Sequence, residues 1–304
     1  GNSEAGVRGL FFGKFDDSSN NGTIDYVTIS SQGNATDYGD LISSVYFYGG
    51  VCSSHRRWIY FGGAPGNPTN QMQFGEIATT GNGTDFGDLT QSTHYNPSGV
   101  GNRTRGVRMG GSVDPSGGAQ NNMDYWQIDT LGNAIDFGDL VAAKRFAMSA
   151  NSPTRGMISG GSFTNPTIGD NIIQFITIAS TGNAQTFGDI GSDNKGFGGN
   201  GACSNATRAL FGGGGPSYKT TVSTVQMATL GDSFDFGDLT VARNYSGSTA
   251  SATRAVWGGG YTGSAYLNTI DYMSIATGGN AVDFGDRTVA GSYVSACSNG
   301  HGGL

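Results

Sequence analysis

The stretch Gly132-Asn-Ala-Ile-Asp-Phe-Gly-Asp-Leu140 decides the fold, because near copies of it recur along the whole chain. The six copies end in an aromatic residue followed by Gly-Asp, at Tyr38-Gly39-Asp40, Phe86-Gly87-Asp88, Phe137-Gly138-Asp139, Phe187-Gly188-Asp189, Phe236-Gly237-Asp238 and Phe284-Gly285-Asp286. Their aspartates lie 48 to 51 residues apart. Self-similarity at such a period marks a repeat architecture, so we expect residues 1–304 to form a single repetitive domain.

Composition narrows the function classes. The chain has 54 glycines, 11% aromatic residues and only 13% charged residues, which favours a turn-dense fold with an aromatic core. A net charge of -7 argues against nucleic acid as a partner. No apolar run is long enough for a membrane span, and no signal peptide is visible, although a start at Gly1 without methionine is consistent with a processed chain or a piece of a longer one.

A second signature precedes each Gly-Asp motif. It is an arginine followed five residues later by glycine, and it begins at Arg8, Arg57, Arg105, Arg155, Arg208 and Arg254. The apolar stretch inside it, such as Leu10-Phe11-Phe12, has the length and composition of a β-strand. We assign it as strand two of each repeat.

Strands three and four follow in the same unit. Ile24-Asp25-Tyr26 and its five counterparts alternate apolar and polar residues, which predicts a half-buried strand three. A Gly-Asn or Gly-Asp pair, such as Gly132-Asn133, comes next and favours a hairpin because both residues tolerate positive φ. The opening motif is therefore strand four.

The stretch after each Gly-Asp, such as Arg145–Ala150, is predicted as strand one of the next repeat. Four short antiparallel strands repeated six times describe an all-β, six-bladed β-propeller. The chain enters at strand two and ends with an extra strand one, so we expect the C-terminal strand to complete the N-terminal blade and close the ring. The predicted blades comprise residues 1–41 with 292–304, 42–89, 90–140, 141–190, 191–239 and 240–287.

The repeat resembles two known groups. A basic residue before a strand ending in Gly-Gly, then a hairpin into an aromatic-centred strand, is similar to the kelch repeat, although Phe or Tyr with Gly-Asp replaces the usual strand-four tryptophan. The Thr-Arg-Gly-x-x-x-Gly-Gly and Gly-Asn-Ala-x-Asp-Phe-Gly-Asp-Leu units resemble repeat proteins of tailed phages of marine cyanobacteria. This resemblance implies a virion appendage or tail-associated protein.

The repeated residues are predicted to be architectural. The six arginines and six Gly-Asp aspartates either line a charged pore or clamp neighbouring strands or blades, and we favour the clamp because catalytic sites are asymmetric. The strand-four aromatic is expected in the core between blades, and the glycine after it is expected to allow a close approach or a bulge.

Candidate binding residues come from the parts that vary. Loop length changes between strands two and three and between strand four and the next strand two, so we expect a variable face that carries the binding function. Its candidates are the changing polar residues after each Gly-Asp and three loop tyrosines, namely Tyr46, His94, Arg145, Lys195, Asn244, Tyr218, Tyr261 and Tyr266. In five repeats the changing polar residue is followed by an aromatic that is expected to serve packing, namely Phe47, Tyr95, Phe146, Tyr245 and Tyr293. Aromatic residues next to amides and hydroxyls suit sugars.

Signs of catalysis are weak. The three histidines have no metal-ligand spacing, and no nucleophile or phosphate-binding motif occurs in its proper context. The loop containing Asp16, Asp17 and Asn20 is a weak calcium candidate, for which a solvated loop is the favoured interpretation. The three cysteines are expected to be free and buried. We therefore predict no enzyme activity, no cofactor and no metal.

The function that we expect is a non-enzymatic structural or binding propeller of a viral particle, in a tail, fibre or capsid appendage. Its variable face would recognise a neighbouring virion protein or a host surface glycan. The alternative is a secreted or surface lectin-like adhesion module of a bacterium. Expected partners are virion or surface proteins and glycans, without nucleic acid or membrane insertion, and the expected location is virion or extracellular.

Overall fold

The computed structural model describes residues 6–17, 20–43, 48–63, 68–113, 118–162, 169–194, 201–214 and 217–304. These residues form six sheets, each of four antiparallel strands, and they contain no helix. The all-β class and the six four-stranded blades are therefore confirmed.

Each blade runs from strand one at the axis to strand four at the periphery. Blade one contains β24 (Ser295–Ser298), β1 (Arg8–Phe15), β2 (Asn20–Thr28) and β3 (Thr36–Asp40). Blade two contains β4 (Gly50–Ser53), β5 (Arg57–Phe61), β6 (Thr69–Glu76) and β7 (Thr84–Thr93). Blade three contains β8 (Ser98–Gly101), β9 (Arg105–Met109), β10 (Gln120–Gln127) and β11 (Ile135–Lys144). Blade four contains β12 (Met148–Asn151), β13 (Arg155–Ser159), β14 (Ile172–Thr177) and β15 (Gln185–Asp189). Blade five contains β16 (Ala202–Ser204), β17 (Arg208–Gly212), β18 (Lys219–Gln226) and β19 (Phe234–Arg243). Blade six contains β20 (Gly247–Ala250), β21 (Arg254–Gly258), β22 (Thr269–Ser274) and β23 (Val282–Asp286).

The ring closes as predicted, through the strand β24. It pairs antiparallel with β1, with Leu10 opposite Cys297 and Phe12 opposite Ser295. The innermost strands also contact one another in a complete circle, since β24 touches β20 on one side and β4 on the other. The strand β24 covers the edge of β1 that would otherwise be open at the joint between the two ends.

The hydrophobic core is divided among the six spaces between blades. Each cluster combines residues of two neighbouring blades, and each contains one strand-four aromatic. These six rings, predicted as interblade core, are all buried: Tyr38, Phe86, Phe137, Phe187, Phe236 and Phe284. Burial of one such ring stabilises the fold by roughly 1.5–3 kcal/mol. The cysteines Cys52, Cys203 and Cys297 are free and buried in the same spaces, as expected.

The prediction that strand three is half-buried is wrong. Its polar positions are as buried as its apolar ones, and they are Asp25, Gln73, Asp124, Gln174, Ser223 and Asp271. The reason is geometric, because every blade lies between two neighbours and neither face of its sheet is left to solvent. In three blades the buried carboxylate pairs with a buried arginine, as in Arg108–Asp124 at 2.7 Å and Arg243–Asp271 at 2.9 Å.

Strand four is longer than predicted in blades two, three and five. The strand β11 continues to Lys144, and strand one of the next blade begins at Met148, three residues after the predicted start at Arg145. The residues between them cross from the periphery of one blade to the axis of the next.

The repeated Gly-Asp motif joins neighbouring blades through its main chain. Between blades three and four, Gly182 N donates to Phe137 O at 2.8 Å, Asp139 N donates to Asn183 Oδ1 at 3.0 Å and Ala184 N donates to Asp139 O at 2.8 Å. Equivalent bonds occur at all six interfaces. In the turn pair only the glycine takes positive φ, while the Asn side chain accepts the interblade bond.

The repeated arginines also bridge blades, but not through the aspartates. Arg105 Nη1 donates to Ile178 O of the next blade at 3.0 Å, and its guanidinium lies 4.5 Å from the centre of the Tyr125 ring. All six arginines make this main-chain contact. Within the described residues, no ion pair links one of them to a Gly-Asp aspartate. The repeated arginines therefore do join neighbouring blades, as expected. The expectation that they do so through the Gly-Asp carboxylates is wrong.

Candidate binding surface

The variable face is formed where the strand two-to-three loops meet the crossings from strand four to strand one. The two kinds of segment pair directly, as in Arg145 with Ser162, Asn244 with Tyr261, and Phe15 with Ser292. The turns from strand one to strand two lie at the opposite end, where they bond to the ends of strand three. Both sources of length variation thus emerge on one face of the ring.

Aromatic residues gather around the axis on this face. We call this group the axial cluster; it consists of Tyr48, Tyr95, Phe146, Tyr245 and Tyr293. Ring centres are 4.1 Å apart for Tyr48 and Tyr293, and 4.2 Å apart for Tyr245 and Tyr293. Each ring comes from a different blade, so five blades contribute to one contact network over the axis.

The backbone beneath this cluster is strained. Within the described residues, the non-glycine residues with positive φ are Tyr48, Asn96, Phe146, Tyr245 and Tyr293, at φ values from 32° to 66°. They occupy the same place in five blades, two residues before strand one begins. Bulky residues rarely adopt this conformation, which costs on the order of 1–3 kcal/mol each and tends to occur at functional sites.

Hydrogen-bonded hydroxyl groups join the tyrosines of the axial cluster. Burial raises the pKa values of Tyr48 and Tyr245, and their hydroxyl contacts with Tyr293 raise them further. Burial also raises the pKa of Tyr293, against the hydrogen bonds from Tyr48 and Tyr245. The three hydroxyls therefore stay protonated at physiological pH and present neutral polar groups among the rings.

The channel below the cluster is nearly full. The innermost strands enclose a cavity of about 40 Å³ that holds only a few water molecules. At the other mouth, His301 Nε2 lies 2.8 Å from Ser53 O, and Gly303 N donates to His301 Nδ1 at 3.1 Å. A Cβ on Gly303 would lie 2.0 Å from Gly101 O, so only glycine fits there. A ligand of any size must therefore bind outside the channel.

A chain of ring contacts links the axial cluster to the loops of blades five and six on the variable face. We call it the aromatic strip; it consists of Tyr218, Tyr261, Tyr266, Phe15 and Tyr293. Successive ring centres lie 5.8, 4.7, 6.1 and 5.5 Å apart. Tyr218 is 37% exposed and the other four are half-buried. The strip crosses blades five, six and one, and brings together the three loop tyrosines that the sequence had singled out.

The polar candidate residues are more buried than the rings of the aromatic strip. His94, Arg145 and Asn244 are buried, at 2%, 7% and 6% exposure. His94 stacks on Tyr48 with ring centres 6.0 Å apart, and the Arg145 guanidinium lies 5.8 Å from the Tyr95 ring centre. His94 and Arg145 thus pack against rings of the axial cluster, and the main chain of Asn244 pairs with Tyr261. Direct contact with a ligand stays a prediction for these three residues. Tyr46 and Lys195 lie outside the described residues.

The calcium candidates are held by other partners. Asp16 pairs with Lys14 at 2.6 Å, and Asp17 accepts a hydrogen bond of 2.8 Å from the Tyr266 hydroxyl. The side chain of Asn20 lies outside the described part of the structure. Across that described part, no group of three or more His, Cys, Asp or Glu side chains is placed to hold a metal ion.

The sequence missed two members of the surface. In blade two the sequence predicts Phe47 as the aromatic at this place, and Phe47 lies outside the described residues. Tyr48 occupies the left-handed position, because the segment before strand one is one residue longer there than in blade four. The spacing to strand one was the available signal, since Tyr48 and Phe146 both come two residues before it. Phe15 gave no signal, because the end of strand two could not be fixed within a variable loop.

No protein family and no curated protein sequence matches this chain. The described residues include no helix of the length and hydrophobicity that a membrane crossing requires.

Proposed function

We propose that this protein is a non-enzymatic binding propeller that recognises its partner through the variable face. The observation that carries the proposal is the left-handed backbone shared by Tyr48, Phe146, Tyr245 and Tyr293 around the axis. Strain of this kind persists only where packing enforces it, and here it raises a group of aromatic rings at the centre of one face. Rigid rings with polar hydroxyls are effective contact groups because little conformational entropy is lost on binding.

The proposal also concerns the biological context of the protein. The resemblance of the repeat to repeat proteins of tailed phages supports a structural component of a viral particle, bound to a neighbouring virion protein or a host surface glycan. The alternative is a secreted or surface lectin-like module of a bacterium. Immunogold labelling of purified phage particles discriminates between them, because a virion protein labels the particle and a bacterial adhesin labels the cell.

The binding role is tested with labelled protein on a panel of bacterial cells that includes cyanobacteria, and on purified virions. We compare the wild type with Tyr218→Ala/Tyr266→Ala on the variable face, and with Leu230→Ala. Leu230 is a matched control because it is 61% exposed and lies in a turn on the opposite face. The double variant is expected to lose binding and the control to keep it.

Two results contradict the proposal. One is binding that Leu230→Ala abolishes and the double variant retains, which would place the contact on the opposite face. The other is the release of reducing sugar ends from bound glycans, which would make the protein a hydrolase.

A further inference from the structure

We propose that the aromatic strip binds a neutral oligosaccharide. This inference rests on the proposed function, because it takes the variable face as the binding face. It adds the chemical class of the ligand and the blades that it contacts.

The first support is the continuity of the strip. Five rings from three blades follow one another at 4.7 to 6.1 Å, without a break between Tyr218 and Tyr293. A contiguous set of such rings fits a ligand that repeats the same small, amphipathic unit, as a glycan does.

The second support is the rigidity of the outer rings. Tyr218 lies against Gly263 of the neighbouring blade, where any Cβ would approach the ring to 2.5 Å, so only glycine allows this contact. Tyr261 is held by paired main-chain bonds with Asn244, at 3.0 and 2.9 Å. Tyr266 is held by its hydrogen bond to Asp17. Groups fixed before binding lose less entropy when the ligand arrives.

The third support is charge. Within the described residues, the lysines near the strip are each paired with a carboxylate, Lys14 with Asp16 at 2.6 Å and Lys219 with Asp193 at 3.3 Å. Asp17 adds a negative charge directly beside Tyr266. Anionic ligands are recognised by cations that are free to pair with them, and here a further carboxylate would repel them. The strip therefore favours a neutral chain over an acidic one.

Two other occupants fit less well. A peptide that adds as a β-strand needs an exposed sheet edge, and the outer sheet edges belong to strand four at the periphery, away from the strip. A lipid surface needs a continuous apolar patch, whereas four of the five rings carry hydroxyl groups and the neighbouring loop exposes Ser264. A sugar chain uses both the ring faces and these hydroxyls.

The test uses cells that the wild-type protein binds, treated with either periodate, which destroys sugar rings with vicinal diols, or protease. Periodate is expected to abolish binding and protease to leave it. Binding is also expected to change less than twofold between roughly 50 and 500 mM salt, because a neutral ligand offers no charge to screen. Tyr261→Ala is expected to weaken binding about tenfold and Tyr261→Phe by less than about threefold, each checked for an unchanged melting temperature.

The outcomes separate this inference from the proposed function. If protease abolishes binding and periodate does not, the ligand is a protein, so the inference fails while the binding face stands. If binding falls steeply with salt, the ligand is acidic and the inference also fails. If neither cells nor virions are bound at all, the proposed function fails first. If Tyr261→Ala binds as well as the wild type, the strip is not the contact.

Discussion

Replacing Gly138 by alanine tests whether the main chain of the Gly-Asp motif holds the blades together. Gly138 has φ of 134°, a conformation that alanine adopts only with strain. A Cβ at this position would lie 2.6 Å from Gly182 O and 2.7 Å from Gly182 C, across the interface between blades three and four. These are main-chain atoms, which cannot move aside without separating the two blades.

The expected cost follows from these contacts. Backbone strain contributes about 1–3 kcal/mol. Opening the interface weakens the three hydrogen bonds that join Phe137 and Asp139 to the next blade, each worth about 1 kcal/mol net. The variant should therefore lose about 3–6 kcal/mol, a large part of the roughly 5–15 kcal/mol typical of a folded domain. Its melting temperature should fall by about 10 °C.

The assay is guanidinium unfolding followed by tryptophan fluorescence, with Asp139→Ala as the matched control. The Asp139 carboxylate is exposed, and the interblade bonds of this residue use only its main chain, so the control should change stability by less than about 0.5 kcal/mol. A loss below about 1 kcal/mol for Gly138→Ala would refute the close-approach argument. A comparable loss for Asp139→Ala would restore the carboxylate as the clamp.

Three further predictions concern stability. Arg155→Ala should cost about 1–3 kcal/mol in guanidinium unfolding, because it removes the 2.7 Å bond to the next blade and a ring contact, and Arg155→Lys should recover less than half. Asp124→Asn should lower the free energy of unfolding by about 3–5 kcal/mol, because it leaves Arg108 buried without a carboxylate. Arg108→Met/Asp124→Leu should lower it less, and equal losses for the two variants would contradict this. Burial lowers the pKa of His301 to about 4 from 6.5, so the unfolded chain takes up a proton at a higher pH than the folded chain does. The free energy of unfolding should therefore be full above pH 6.5 and fall by about 1–3 kcal/mol towards pH 4. His301→Gln should flatten that dependence.

The fold was predictable because the sequence features that determine it recur in every repeat. Period, strand length and turn residues recur six times, so chance agreement in one repeat is corrected by the other five. The closing strand was predictable for the same reason, since Cys297 falls where Cys52 and Cys203 fall in their own repeats. The strand-four aromatics were also assigned correctly to the spaces between blades.

The errors have a common physical origin. Alternation of apolar and polar residues normally indicates a strand with one solvent-exposed face. A propeller blade has neighbours on both sides, so Asp25 and Asp271 are buried and pair with arginines from elsewhere in the chain. Their partners Arg287 and Arg243 lie in or after strand four of the preceding blade. Such pairs are set by the angle between blades, which no local pattern records. The same holds for the carbonyl groups that accept from the repeated arginines.

The candidate site was only half predictable for a further reason. Tyr218, Tyr261 and Tyr266 stood out as aromatic residues in variable loops, and the structure brings them together. The axial cluster did not stand out, because left-handed phenylalanine and tyrosine have no sequence signature as glycine does. Its rings were assigned to packing, and the extra residue in blade two concealed Tyr48.

Repetition alone does not separate architecture from function on this surface. The Gly-Asp motif repeats in both conformation and residue type, since a glycine and a hydrogen-bonding turn are required at every interface. The axial position repeats in conformation, yet its residue changes between Tyr48, Asn96 and Phe146. A purely geometric demand for positive φ favours glycine, which takes every other positive-φ position among the described residues, or asparagine. The aromatic rings held there against that preference are the observation on which our proposal of a binding role for the axial cluster rests.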